Sequence, residues 1–128
     1  MTNLEIVRST YEGKNSEENG RNLAAYAAEN IVWTEAIGFP YGGTYTGLDA
    51  IGKNVFRRLA TEWTDYTFTP EGYVAEGDKV VAYGTYTAVN KRTGKPLKAR
   101  VAHLWQLKDG KIIRFEQFVD SQTVNDTF

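Results

Sequence analysis

The 128-residue sequence contains no cysteine, one histidine, one methionine and three prolines. Without cysteine there can be no disulfide, no thiolate nucleophile and no Cys-based metal site, which fits a reducing compartment. With His103 as the only imidazole, a metal centre is not expected, because catalytic metals usually draw on several nitrogen or sulfur ligands. An excess of one charge is missing too: fifteen Lys and Arg stand against sixteen Asp and Glu, a net charge of −1. Such a surface does not attract polyanions or acidic lipid, so nucleic acid is not an expected partner. No run approaches the roughly 18 apolar residues of a membrane span, and the opening MTNLEIVRST lacks the apolar centre of a signal peptide. A soluble cytoplasmic protein with no membrane partner is expected, in which the NDT triplet at Asn125 meets no glycosylating enzyme. The length predicts one domain, residues 1–128, with a single core.

Aromatic residues are plentiful: eight Tyr, six Phe and three Trp point to a ring-lined core, pocket or interface. In TNLEIVRSTYEGK, Leu4, Val7 and Tyr11 fall at helical spacing, with Thr2 or Asn3 able to cap the first turn. NSEENGRNLAAYAAEN predicts a second helix capped by Ser16, with Gly20 its weak point. IVWTEA has strand character and runs into IGFPYGGTYTG, whose glycines and proline predict a long loop. From Leu48 an apolar stripe of Ile51, Val55, Leu59 and Trp63 predicts the third and longest helix.

After Trp63 the pattern changes to period two. YTFTPEGYVAEG, KVVAYGTYTAVN, PLKARVAHLWQLK and KIIRFEQFVD read as four antiparallel strands joined by glycine-containing turns. Pro70 and Gly72 predict a bulge or an edge position in the first of them. The fold class is therefore α+β: three helices in the N-terminal half packed on a curved, mostly antiparallel sheet of about five strands. Such a cone leaves an opening between sheet and helices, where a ligand would sit. Strands apolar on both faces, as in YGTYTAV and RFEQFV, predict a homodimer through the convex sheet face.

The order α-α-β-α-β-β-β-β resembles the nuclear transport factor 2-like superfamily, also described as cystatin-like, and within it the SnoaL-like, ketosteroid isomerase-related proteins. The resemblance covers nearly the whole chain and is carried by IVWTE, YGGTYTGLDAIG, VAEGDKVVAYGTY and HLWQLKDGKIIRFEQFVD. In SnoaL-like polyketide cyclases an aspartate at the end of the last strand serves as acid and base, with a histidine on the neighbouring strand. Asp120 and His103 match those positions. In ketosteroid isomerases the base follows the first strand and a first-helix tyrosine is an oxyanion donor; Glu35 and Tyr11 resemble these. The isomerases' second donor, an acid on the strand of His103, has no counterpart at residues 101–105. The resemblance implies a small, largely apolar or aromatic carbonyl ligand, proton transfer by isomerisation or aldol cyclisation, and no metal or organic cofactor.

Read as residues alone, His103 shares a sheet face with Val101, Trp105 and Leu107, a setting that favours the neutral ring. Glu35 at the mouth of the loop reads either as a surface carboxylate or, since it shares a face with Trp33, as a carboxyl group beside an indole in an apolar pocket, where its pKa would be raised. Asp120 falls in register with Arg114, Glu116 and Phe118, whereas Ile113, Phe115, Gln117 and Val119 form the apolar face. It turns inward only if a bulge intervenes, and otherwise caps the DSQT segment. The expected ligand-binding lining is Trp33, Tyr41, Tyr45, Phe56, Trp63, Val101, Trp105 and Phe118, with Phe39, Tyr41 and Tyr45 on a flexible lid. The other class of function open to this fold is a non-catalytic ligand-binding or dimerisation module.

Overall fold

The computed structural model describes residues 1–128. Helix α1 spans Asn3–Ser9 and opens on a reciprocal cap: the Glu5 N–H donates to Thr2 Oγ1 and the Thr2 N–H to Glu5 Oε1. It ends before Tyr11 because Ser9 and Thr10 turn their hydroxyls back onto the carbonyls of Ile6 and Val7. Helix α2, Ser16–Tyr26, is capped by Asn15 rather than the expected Ser16, which is its first helical residue. The chain then turns directly into strand β1, Ala27–Glu35.

The glycine-rich segment expected to be a loop ends in a short strand, β2, Gly43–Thr46, paired with β1 through Thr34 and Thr44. The third helix, α3, is one rod in three contiguous pieces: Leu48–Ile51, a π-helical turn Gly52–Phe56, and Arg57–Glu62. Trp63, expected on its stripe, instead begins strand β3, Trp63–Glu76. Strands β4 (Lys79–Asn90), β5 (Pro96–Lys108) and β6 (Lys111–Val119) follow, and helix α4, Ser121–Asn125, closes the chain. The sheet has six strands in the order β2-β1-β6-β5-β4-β3, antiparallel except where β1 lies parallel to β6. No helix is long and apolar enough to cross a membrane.

Alternation decides what faces inward. On β4 the buried positions are the even-numbered ones from Val80 to Asn90, and on β5 the odd-numbered ones from Leu97 to Leu107. Ile6, Val7, Leu23, Ile51 and Val55 from the helices meet Trp33, Trp105 and Phe115 from the sheet in one apolar cluster. A second cluster gathers Phe39, Tyr41, Trp63, Tyr86 and Val101 beside α4.

Two irregularities bend β3 against β4, one between Thr64 and Thr67 and one between Pro70 and Gly72. Opposite Pro70 lies Gly84, where a Cβ would collide with the Thr69 carbonyl oxygen. The oxygen belongs to the backbone and the backbone fixes where a Cβ sits, so no rotamer change relieves the clash. Gly84→Ala is expected to cost about 1–3 kcal/mol. Urea unfolding measures this, and an unchanged midpoint would contradict the close approach.

Candidate functional site

Between the sheet and the helices lies a cavity of about 570 Å³, within the range of small-molecule sites. Trp33, Phe56, Phe68, Trp105 and Phe115 are among the aromatic rings of its wall, and the exposed Ser16, Gly20, Ala60 and Asp65 mark its mouth. The rings hold one another: Trp33 stacks on Phe115 with centroids 3.7 Å apart and meets Trp105 and Phe56 edge-on at 5.7 and 5.3 Å. The π-helical turn places Val55 and Phe56 against this wall, and such turns recur at functional sites.

Polar groups converge in this apolar setting. Glu35 ends β1 with 3% of its surface exposed and forms no salt bridge. Burial pushes its carboxyl group up to about 8; the neighbouring Trp33 indole N–H, which completes no hydrogen bond, opposes this only weakly. His103, mid-strand on β5, is also buried, and the same loss of hydration pulls its imidazole down to about 3, so the ring is neutral. Its Nδ1 lies 2.7 Å from Tyr11 Oη and its Nε2 lies 2.6 Å from Tyr86 Oη. Trp105 Nε1 donates to Tyr11 Oη at 2.7 Å and Gln117 Nε2 to Tyr86 Oη at 3.0 Å. The result is a continuous hydrogen-bonded chain across the cavity wall. Burial raises Tyr11, Tyr66 and Tyr86 well above the ordinary phenol range, and the nearby Glu35 charge adds to the effect on Tyr66 and Tyr86. These hydroxyls stay protonated, so each keeps a hydrogen to donate.

Of the candidate acid–base and donor groups, Tyr11, Glu35 and His103 therefore share one cavity, and Asp120 does not. The register break in β6 lies at Ile113, between the Gln106–Arg114 and Leu107–Ile112 pairs, too far upstream to turn Asp120 inward. Asp120 is exposed and caps α4, accepting from the Thr123 N–H and hydroxyl at 3.2 and 2.5 Å, which holds its carboxyl group below the usual range. Trp33, Phe56, Trp63 and Trp105 line the cavity as expected. Four expected lining residues do not. Phe118 is 51% exposed on the opposite sheet face, and Val101 packs in the second core cluster. Tyr41 is buried, accepting from Trp63 Nε1, donating to Glu62 and lying under Arg58, while Tyr45 donates to the Tyr41 carbonyl. With Phe39 buried as well, the expected lid is part of the packed body.

Tyr66, Tyr86 and Gln117 were missing from the sequence-based list. Parity could have found two: Gln117 is an amide on an apolar face, and Tyr86 stands in step with Val80, Ala82 and Ala88. Tyr66 had no such signal. Strict alternation from Trp63 would send Asp65 and Thr67 inward, but Asp65 adopts φ 54° at a register break and Tyr66 and Phe68 face the cavity instead. No group of three or more His, Asp or Glu side chains is arranged to hold a metal ion.

The SnoaL-like domain model matches residues 7–115. The chain belongs to this family. A crystal structure of a nuclear transport factor 2-like protein from Burkholderia thailandensis is 41% identical, covers 99% of this chain and 97% of its own, and superposes with a TM-score of 0.93. A protein described as a SnoaL-like polyketide cyclase from Mesorhizobium loti is 23% identical over 92% of this chain and 99% of its own, TM-score 0.74. TerC, crystallised with polyporic acid, is 23% identical over 98% of this chain and 96% of its own, TM-score 0.84. At that identity the last two share the fold alone. No curated protein matches the sequence.

Opposite shifts on two buried groups predict opposite pH responses. Glu35 is protonated more readily in the fold than in the unfolded chain, so its contribution falls as pH rises from 4.5 through 8. His103 is harder to protonate in the fold, so its contribution falls as pH drops from 6.5 towards 3. Glu35→Gln is expected to match the parent protein at pH 4 and exceed its stability at pH 8.5 by on the order of 3 kcal/mol. Urea unfolding at the two pH values measures this; an equal difference at both would refute a buried, raised carboxyl group.

Proposed function

We propose that this SnoaL-like protein binds a small, largely apolar carbonyl compound in its cavity and catalyses proton transfer next to the carbonyl group, as in an isomerisation or an aldol cyclisation. The observation that carries this reading is Glu35: a buried carboxyl group without a cationic partner, in one apolar cavity with the Tyr11–His103–Tyr86 chain. Ionised, Glu35 takes the proton from the carbon next to the carbonyl; its raised pKa brings it near the value that a weak carbon acid needs. The negative charge moves to the ligand oxygen, where a Tyr11 hydroxyl donates a hydrogen bond that strengthens as the charge develops. Glu35 then returns the proton to a different carbon, or the enolate attacks a second carbonyl within the same molecule and the alkoxide so formed takes the proton back from Glu35. His103 cannot be the base, since a hydroxyl occupies each of its nitrogens. TerC's co-crystallisation with polyporic acid gives further support for an organic ligand in a cone of this shape.

Turnover of β,γ-unsaturated ketones or of linear polyketide-type substrates tests the reading. Because the ionised base is required, kcat/KM is expected to rise with pH to a midpoint near 8. Glu35→Gln should lower it by about 10²–10⁴-fold, whereas Asp120→Asn should leave it unchanged. Saturable binding with no turnover at any pH would favour the non-catalytic ligand-binding module instead.

We further infer a homodimer through the convex sheet face. Tyr83 pairs with Ala102 and Ala102 with Phe118, forming an apolar row across three strands whose two rings are 40% and 51% exposed. Phe118→Lys is expected to yield a monomer in sedimentation equilibrium; a parent protein that is already monomeric would refute the pairing.

A further inference from the structure

The hydrogen-bonded chain around His103 can be resolved to single hydrogens. Its two outer members only donate: Trp105 through its indole N–H, and Gln117 through its amide, whose orientation is fixed because Gln117 Oε1 accepts the Ala36 N–H at 3.1 Å. Both tyrosine oxygens therefore already accept one hydrogen bond from outside. Between them stands a neutral imidazole with one N–H and one bare nitrogen, each facing a hydroxyl. Tyr11, His103 and Tyr86 bring three hydrogens, and the two links between them use two. One hydroxyl hydrogen is left over. It belongs to whichever tyrosine accepts the His103 N–H: Tyr11 in the Nδ1–H tautomer, Tyr86 in the Nε2–H tautomer.

The two places differ in what can receive that hydrogen. Tyr11 lines the cavity, and its oxygen has no protein partner beyond Trp105 and His103, so a leftover hydrogen there points to a ligand. Tyr86 lies against Tyr66, with ring centroids 5.0 Å apart. The Tyr66 hydroxyl is buried without a hydrogen-bond partner, and the two phenols are close enough for each to shift the other's ionisation. A buried hydroxyl left unpaired is unfavourable, and a slight approach of the two rings would let a hydrogen from Tyr86 relieve it.

We propose that His103 is a positioning residue whose tautomer assigns this one hydrogen: through Tyr86 to Tyr66 when the cavity is empty, and through Tyr11 to the ligand's oxygen when a carbonyl compound is bound. Tyr66 and the ligand then compete for the same hydrogen, although they do not touch the same hydroxyl. The bound half of the proposal rests on the reading that the ligand's oxygen meets Tyr11; the empty half does not.

Because His103 is the only histidine, uniformly ¹⁵N-labelled protein gives one pair of imidazole nitrogen resonances, whose shifts report the tautomer directly. At pH 7 the empty protein is expected to be mainly in the Nε2–H form, and Tyr66→Phe, which removes the proposed receiver of the Tyr86 hydrogen, mainly in the Nδ1–H form. Addition of 1-tetralone should move the parent protein to the Nδ1–H form and leave Tyr66→Phe unchanged, with the variant binding the ketone several-fold more tightly. An empty parent protein in the Nδ1–H form, or no difference between parent and variant, would overturn the proposal. Ketone binding with the Nε2–H form retained would overturn its bound half. A protein that exchanges tautomers as expected yet turns over no carbonyl compound would keep the role of His103 and remove the catalytic reading.

Discussion

The hydrogen bond between Tyr11 and His103 joins the two layers of this protein. Tyr11 leaves α1 at the point where Ser9 and Thr10 stop the helix, and it crosses to an imidazole held in the middle of β5. The contact depends on strand alternation, which turns His103 and Trp105 to the same side, so that one hydroxyl can meet both. This polar bridge lines one side of the cavity. An apolar substitute for either partner would leave a buried polar atom of the other one hydrogen bond short, which costs stability.

A single physical cause, loss of hydration, acts in opposite senses on the two titratable groups of the site. It favours the protonated form of Glu35 and the unprotonated form of His103, so both are neutral in the empty protein at mildly acidic pH. The cavity can therefore stay apolar while holding a carboxyl group, an imidazole and three phenols. Charge appears only as Glu35 ionises, and no cation waits to neutralise it. That arrangement lowers stability at pH values where Glu35 is ionised, a cost that the proposed proton transfer would require.

The sequence made the layers, the strand order from β3 to β6 and the inward direction of His103, Trp105, Trp33 and Glu35 legible, because period two is read directly from residue spacing. It left hidden whatever depends on a break in that period. Asp65 shifts β3 by one residue and brings in Tyr66, while the break in β6 lies upstream of Asp120 and leaves it pointing outward. The glycine-rich segment hid a strand, since backbone pairing to β1 overrides weak local preference. Tyr41 and Tyr45 looked like lid residues by composition, yet long-range partners such as Glu62, Arg58 and Trp63 tie Tyr41 into the body.

The π-helical turn in α3 bears on how relatives of this protein could diverge. A π turn is an α-helix with one residue more than it needs, so deleting one residue between Gly52 and Phe56 would restore regular winding without breaking the rod. Because the surplus residue is taken up within that one turn, Leu59 and Ala60 would keep their places on the cavity wall and the change would fall on Val55 and Phe56. The sheet, with Glu35 and His103, would be untouched. A one-codon deletion thus offers a route to a differently shaped cavity around the same carboxyl group and imidazole.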